Sequence, residues 1–234
     1  MEAAAAGQHS IEHLTGTPSC ETDSCSNPAA RMAIAAFFEH GTWHDPTIAI
    51  YEAMLGMDDR SFTHNERRQY VRPAVQDFWN LQMEYLPEVL PPKVERRAGL
   101  DRAPASVVSL HRAGVPLMTV SDLGFLNTYP GVSLHDELAL FVQAGVSPLD
   151  ALRASTIGPA RYSGKEEEWG SVEAGKVADV VILDGNPLQD ISNVRNISAV
   201  IVRGRIFDRA ALDALLAEVA ASAAAARGAA QGQD

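Results

Sequence analysis

With 234 residues, 46% of them hydrophobic and 21% charged, the chain has the makeup of an ordinary globular protein, enough for one large domain or for a domain with a smaller companion. That balance excludes an extended disordered chain. Its 30 acidic and 19 basic residues leave a formal charge of −11 with no Lys/Arg run, which argues against a nucleic-acid partner, and no window of 18 apolar residues suits a membrane span.

The first segment with chemical content is GQHSIEHLTG, residues 7 to 16, in which His9, Glu12 and His13 have the H-x-x-E-H order of an inverted zinc-protease helix. That motif works only on a helix, where i and i+4 histidines share a face. Gly7 before the segment and TGTP after it leave room for about two turns at most, and the local signals favour a strand. On a strand the two histidines lie roughly 13 Å apart, too far to share one ion readily, so at most one is a ligand. Cys20 and Cys25 follow in the loop-like run PSCETDSCSNP; they cannot make a four-cysteine zinc site and are expected as free surface thiols, a local disulfide being the alternative.

Asn27, Pro28 and Gly41 are the cap, first turn and stop of a helix from about 28 to 40. TWHDPTIAI, from Thr42, reads as extended. The charged, proline-dotted stretch 57 to 103 reads as an excursion, helical from about 67 with Pro73 as a start or kink, and with PEVLPPKV as loop. DRAPASVVSLHRAG predicts a helix ended by Gly114, and VPLMTVSD the apolar run of a buried parallel strand. A polar loop, 123 to 132, leads to SLHDELALFVQAG, a helix capped by Ser133 and closed by Gly145. SPLDALRAST follows, with Ser147 as cap and Pro148 in the first turn. Beyond Gly164 the pattern changes to β-branched runs at 178 to 183 and 197 to 207, separated by turn chemistry. A closing helix, RAALDALLAEVAAS, runs into a low-complexity alanine tail.

Five blocks in this order, AGQHSIEH, GTWHDPTI, GVPLMTVSDLG, SLHDELALFVQAGVSPLDALRASTIGPAR and GSVEAGKVADVVILDGNPLQDISN, resemble the C-terminal half of a metal-dependent amidohydrolase of the imidazolonepropionase-like group. The resemblance implies an α/β fold: strands six to eight of a (β/α)8 TIM barrel over residues 1–165, part of a small β-sandwich over 166–208, and a C-terminal helix and tail over 209–234. It places His13 at the strand-six metal position and Asp122 at the strand-eight aspartate that binds metal and moves the proton of the attacking water. His9 is then structural or solvated. Glu12 points away from His13. Val120 and Ser121 stand where the group usually has Gly-Thr, and Gly158 where it has an asparagine-like residue. His135 either faces the substrate or is a partly exposed helix-start histidine; His44 either lines the mouth or supports its strand. His40, His64 and His111 are read as solvated or dipole-matched side chains.

The chemistry implied is hydrolysis of a carbon–nitrogen bond in a cyclic amide, N-acyl amino acid or dipeptide, assisted by one or two divalent ions, zinc by preference. A catalytic zinc needs at least three protein ligands and an open position. By resemblance the group also uses a His-x-His pair on strand one, a lysine on strand four and a histidine on strand five. No His-x-His occurs among histidines 9, 13, 40, 44, 64, 111 and 135. A barrel of this type takes about 250 residues, and three strand candidates cannot close one. The expectation is therefore a C-terminal half that self-associates or needs an N-terminal half as partner. Two classes stay open: an amidohydrolase whose activity belongs to the completed barrel, and a non-catalytic remnant or interaction half. A cytoplasmic location is the default, with export undecided.

Overall fold

The computed structural model describes residues 1–17, 20, 25–57, 59 and 65–231. After a short helix α1 (Glu2–Ala5), strand β1 (Ser10–Glu12) lies parallel to β2 (Trp43–Asp45), with Ile11 opposite His44. Helix α2 (Pro28–His40) makes the crossover. Asn27 Oδ1 accepts from the Ala29 amide, and Gly41 in the left-handed region ends the helix. The VPLMTV run continues the sheet: the His44 amide donates to Pro116 O at 2.9 Å and the Met118 amide to His44 O at 2.8 Å, with Leu117 bridged to His44. Three parallel segments therefore stand side by side with β2 in the middle. Among the described residues they do not close into a barrel.

Helix α3 (Ile48–Gly56) corrects the extended reading of TWHDPTIAI. Only Trp43–Asp45 is strand; Pro46 and Thr47 turn the chain, and the apolar IAI run enters a helix whose Ile48, Ile50 and Ala53 are buried. The excursion contains α4 (Pro73–Val89) and α5 (Lys93–Arg112), so PEVLPPKV is loop only at 90–92 and Pro87 and Pro104 both lie inside helices. A mid-helix proline costs about 3 kcal/mol. The turns after Pro104 bury Val107, Val108 and Leu110, and each fully buried aliphatic side chain of that size returns roughly 1.5–3 kcal/mol, so packing outweighs the break. Trp79 of α4 packs with Met57, Val71, Leu126 and Tyr129, which seats the excursion on the loop after the third parallel segment.

Helix α6 (Ser133–Ala144) starts one residue earlier than a Ser133 cap requires: Ser133 is its first residue, and its Oγ accepts from the Tyr129 amide at 2.8 Å. Ser147 caps α7 (Pro148–Ser155) by accepting from the Asp150 amide. In α8 (Ile157–Tyr162), Gly158 packs close to the backbone, where an added Cβ would lie 3.1 Å from the Arg153 carbonyl and 3.2 Å from that of Leu117. The last portion is an antiparallel sheet in the order β3 (Val180–Leu183), β4 (Ile197–Val202), β5 (Arg205–Asp208), followed by α9 (Arg209–Gln231). Asp136 of α6 ties the parts together, bonding Arg195 at 2.6 Å and Arg67 at 3.1 Å.

Cys20 and Cys25 form a disulfide and are both buried, against the expectation of free surface thiols. They belong to the main apolar cluster with Ala30, Ile34 and Val107, and the Cys20 amide donates to Ser106 Oγ. Among the described residues no helix is long and apolar enough to cross a membrane.

Candidate active site

His13 immediately follows β1, and Asp122 ends the segment that extends the sheet beyond β2. His13 lies directly beyond the C-terminal end of β1 and Asp122 four residues beyond Met118, so each follows one of the parallel segments. Their side chains meet with His13 Nε2 3.8 Å from Asp122 Oδ2, each roughly half exposed. His13, Asp122 and Thr47 all have left-handed φ values, 59°, 45° and 46°. Non-glycine residues held there cost about 1–3 kcal/mol each, and such strain gathers at functional sites. For Thr47 it is most unusual, since a β-branched side chain strongly disfavours that region.

His13 is fixed at three points by the end of β2 and the segment that follows it. Its amide donates to Asp45 O at 3.0 Å, its carbonyl accepts from the Tyr51 hydroxyl, and its Nδ1 lies 2.6 Å from Thr47 Oγ1. The Thr47 hydroxyl has one proton, which goes to Pro46 O at 2.9 Å. With that proton on Pro46 O, Thr47 Oγ1 is able to accept from His13 Nδ1–H, an arrangement that in the neutral ring leaves the lone pair on Nε2. That lone pair is on the side of Asp122. The aspartate's own loop is compact: Thr128 Oγ1 donates to Phe125 O at 2.6 Å and accepts from the Gly124 amide at 3.1 Å.

Between them, on β2, Asp45 is buried, and its Oδ1 has no hydrogen-bond partner among the described residues. Burial, reinforced by the nearby charges of Glu12 and Asp122 and opposed by the His13 amide, pushes its carboxyl up to about 7. The sequence reading missed Asp45 as a site residue; a carboxylate ending the Trp43–Asp45 strand, directly before the turn at Pro46, was the available signal. Glu137 was missed too. It is fully buried on α6 in line with Leu138 and Phe141, and its two oxygens accept from the Ile48 and Ala49 amides at 2.9 and 2.8 Å. Burial raises its carboxyl to about 7 despite those two donors.

The other histidines stand apart from the His13–Asp122 pair. His44 is fully buried, its ring 4.4 Å from that of Phe37, with Nδ1 donating to Thr42 O and Nε2 3.5 Å from Thr17 Oγ1; burial lowers its pKa to about 4. It has no surface to offer a substrate. His135 lines a groove with Val132, Arg195, Ile197 and Leu216, against the sheet and α9, and burial lowers its pKa. His9 sits edge-on to Tyr162, and His40 is exposed at the end of α2. His111, expected to be solvated, instead lies 3.5 Å from Asp150. His64 lies outside the described residues.

His13 and Asp122 are two donors, and among the described residues no group of three or more His, Cys, Asp or Glu side chains is gathered to hold a metal ion. A catalytic zinc needs three. Among the described residues, the side chains of this chain do not by themselves complete a metal site.

The family model of the amidohydrolase family matches residues 2–207, and the chain belongs to that family. Over 101 residues it is 34% identical to the imidazolonepropionase of Thermoplasma volcanium, a match covering 42% of this chain and 25% of that protein. Over 111 residues it is 31% identical to the imidazolonepropionase of Shouchella clausii, covering 44% and 24%. Two solved structures share the fold: a bottromycin amidohydrolase, with a TM-score of 0.66 at 23% identity over 95% of this chain and 50% of that one, and a Xaa-Pro dipeptidase with bound methionine in its active site, with a TM-score of 0.61 at 23% identity over 88% and 41%. The chain thus spans half or less of the length of these relatives.

Proposed function

We propose that this chain is the C-terminal half of a metal-dependent amidohydrolase, with β1, β2 and the 116–118 segment as strands six, seven and eight of a (β/α)8 barrel and the sheet of β3 to β5 as part of the small β-sandwich. The completed enzyme hydrolyses a carbon–nitrogen bond in a cyclic amide, N-acyl amino acid or dipeptide. The carrying observation is the His13–Asp122 pair, far apart in sequence yet 3.8 Å apart beyond the C-terminal ends of two parallel segments, with His13 Nε2 as the ring nitrogen nearer Asp122. Sites of such barrels lie at that end.

In this reading His13 Nε2 and Asp122 are contributed to a centre whose remaining donors come from outside these 234 residues. A divalent ion held there by His13 and Asp122 with further donors, zinc by preference, would supply an activated water at neutral pH. Asp122, open to solvent on one side, would take up that water's proton and deliver it to the leaving nitrogen. The bland carriers of the geometry are Thr47 and Tyr51, which hold His13 in its strained backbone state.

The test is activity in a complemented pair. Co-expression with an amidohydrolase N-terminal half bearing a His-x-His pair is expected to give chelator-sensitive amidase activity that the chain alone lacks. Asp122→Asn, which preserves size and removes the charge, should abolish it. A soluble, correctly paired complex that holds metal and remains inactive would favour the non-catalytic interaction half instead.

A further inference from the structure

Helix α3 begins in an unusual way. A threonine at the residue before a helix normally adopts an extended backbone and turns its oxygen inward to accept from an amide of the first turn. Thr47 does neither. Its φ is 46°, its side chain makes no cap bond, and its hydroxyl is committed to Pro46 O and His13 Nδ1. The first-turn amides it neglects, those of Ile48 and Ala49, are taken instead by the two oxygens of Glu137, reaching across from α6. Buried amides left bare cost about 1–3 kcal/mol apiece, so without an outside acceptor Thr47 would be drawn back to capping its own helix.

We infer that Glu137 is a positioning residue for His13: by capping α3 from another helix it frees the Thr47 hydroxyl to accept from His13 Nδ1–H and so presents Nε2 bare toward Asp122. The inference rests on the proposed role of His13 in the site, yet its central geometry concerns the ring's tautomer, which is measurable without metal or substrate. The chain of contacts is continuous. Glu137 holds the Ile48 and Ala49 amides, these fix the turn at Thr47, Thr47 holds Nδ1, and the Tyr51 hydroxyl one turn along α3 holds the His13 carbonyl.

The experiment uses the full chain labelled with 15N-histidine. Long-range proton–nitrogen correlation reports which ring nitrogen carries the proton, and His13→Asn assigns the resonances. In the unaltered chain, at a pH where the ring is neutral, His13 should be protonated at Nδ1 only. Thr47→Val removes the acceptor and should shift the ring to the Nε2–H form or to a mixture. Glu137→Gln keeps one acceptor oxygen but sets an amide donor against the Ala49 N–H; it should produce the same mixture together with roughly tenfold or faster hydrogen exchange at Ala49. If Glu137→Ala fails to fold, Glu137→Gln and Thr47→Val still decide. A purely structural Glu137 would lower stability and leave the His13 tautomer unchanged, and that result overturns the inference; so does an Nε2–H tautomer in the unaltered chain. An inactive complemented pair with the expected tautomers would count against the proposed function alone.

Discussion

His44 makes stability fall in acid by an amount that can be worked from its surroundings. Its ring is fully buried against Phe37, and its pKa drops from 6.5 to about 4 chiefly because burial penalises the charged form, the bond to Thr42 O and the charge of Glu12 opposing. Below pH 6.5 the unfolded chain takes up a proton at this position while the folded chain does not. The unfolded state is then favoured, and stability is lost as pH falls from 6.5 through 4. At about 1.4 kcal/mol per tenfold change in proton affinity, the full loss is roughly 3 kcal/mol, about 2 of it by pH 4.5. That is a large part of the 5–15 kcal/mol typical of a domain. Asp45 and Glu137 have the opposite sign, so the effect has to be read as a difference between variants. His44→Asn places a donor where Nδ1 was, keeps the Thr42 carbonyl satisfied and removes the titration. Urea titrations at pH 7, 5.5 and 4.5 should show the variant less stable at pH 7, from the lost ring packing, with the gap closing by about 2 kcal/mol at pH 4.5. Parallel profiles for the two proteins would refute the reasoning.

Glu137 supplies the complementary slope: its carboxyl rises from 4.5 to about 7, so the folded chain holds the proton longer and stability falls as pH climbs from 4.5 through 7, by roughly 3 kcal/mol in all. In Glu137→Gln that alkaline-side loss should vanish from the urea midpoints, and an unchanged slope would show that burial does not govern the group. The edges of the parallel segments and the exposed Val181, Ile182, Val202 and Ile206 leave β-structure uncovered, so light scattering of the chain alone should show dimers or larger species that become monodisperse with an N-terminal half. A monodisperse monomer at tens of micromolar would remove the half-barrel reading.

Local chemistry was legible wherever a residue acts on its own neighbourhood. Asn27, Pro28 and Gly41 bound α2 as their cap and stop roles demand, and Ser147 caps α7. The alternating and β-branched runs near 180 and 200 became β3 to β5 for the same reason. His13 and Asp122 were legible through resemblance, and the structure brings them together. Decisions made by tertiary contact were not. The IAI run carries strand propensity, but the turn at Pro46–Thr47 and the acceptor offered by Glu137 start a helix there. Pro87 and Pro104 signal breaks that packing overrides, and the Cys20–Cys25 bridge belongs to a buried cluster that a polar-looking loop gives little reason to expect. The partnership of Glu137 with α3 spans two helices distant in sequence; its one local trace is an acidic residue on the buried stripe that also carries Leu138 and Phe141.

The central claim, that this chain contributes two donors to a metal centre completed from elsewhere, is tested most directly by elemental analysis after gel filtration in the presence of zinc. The chain alone should retain well under one equivalent, and His13→Ala should not change that figure, because two donors leave most of the coordination to water. One tightly held equivalent of zinc per chain, lost in His13→Ala, would contradict it and reveal a complete ligand set within these 234 residues.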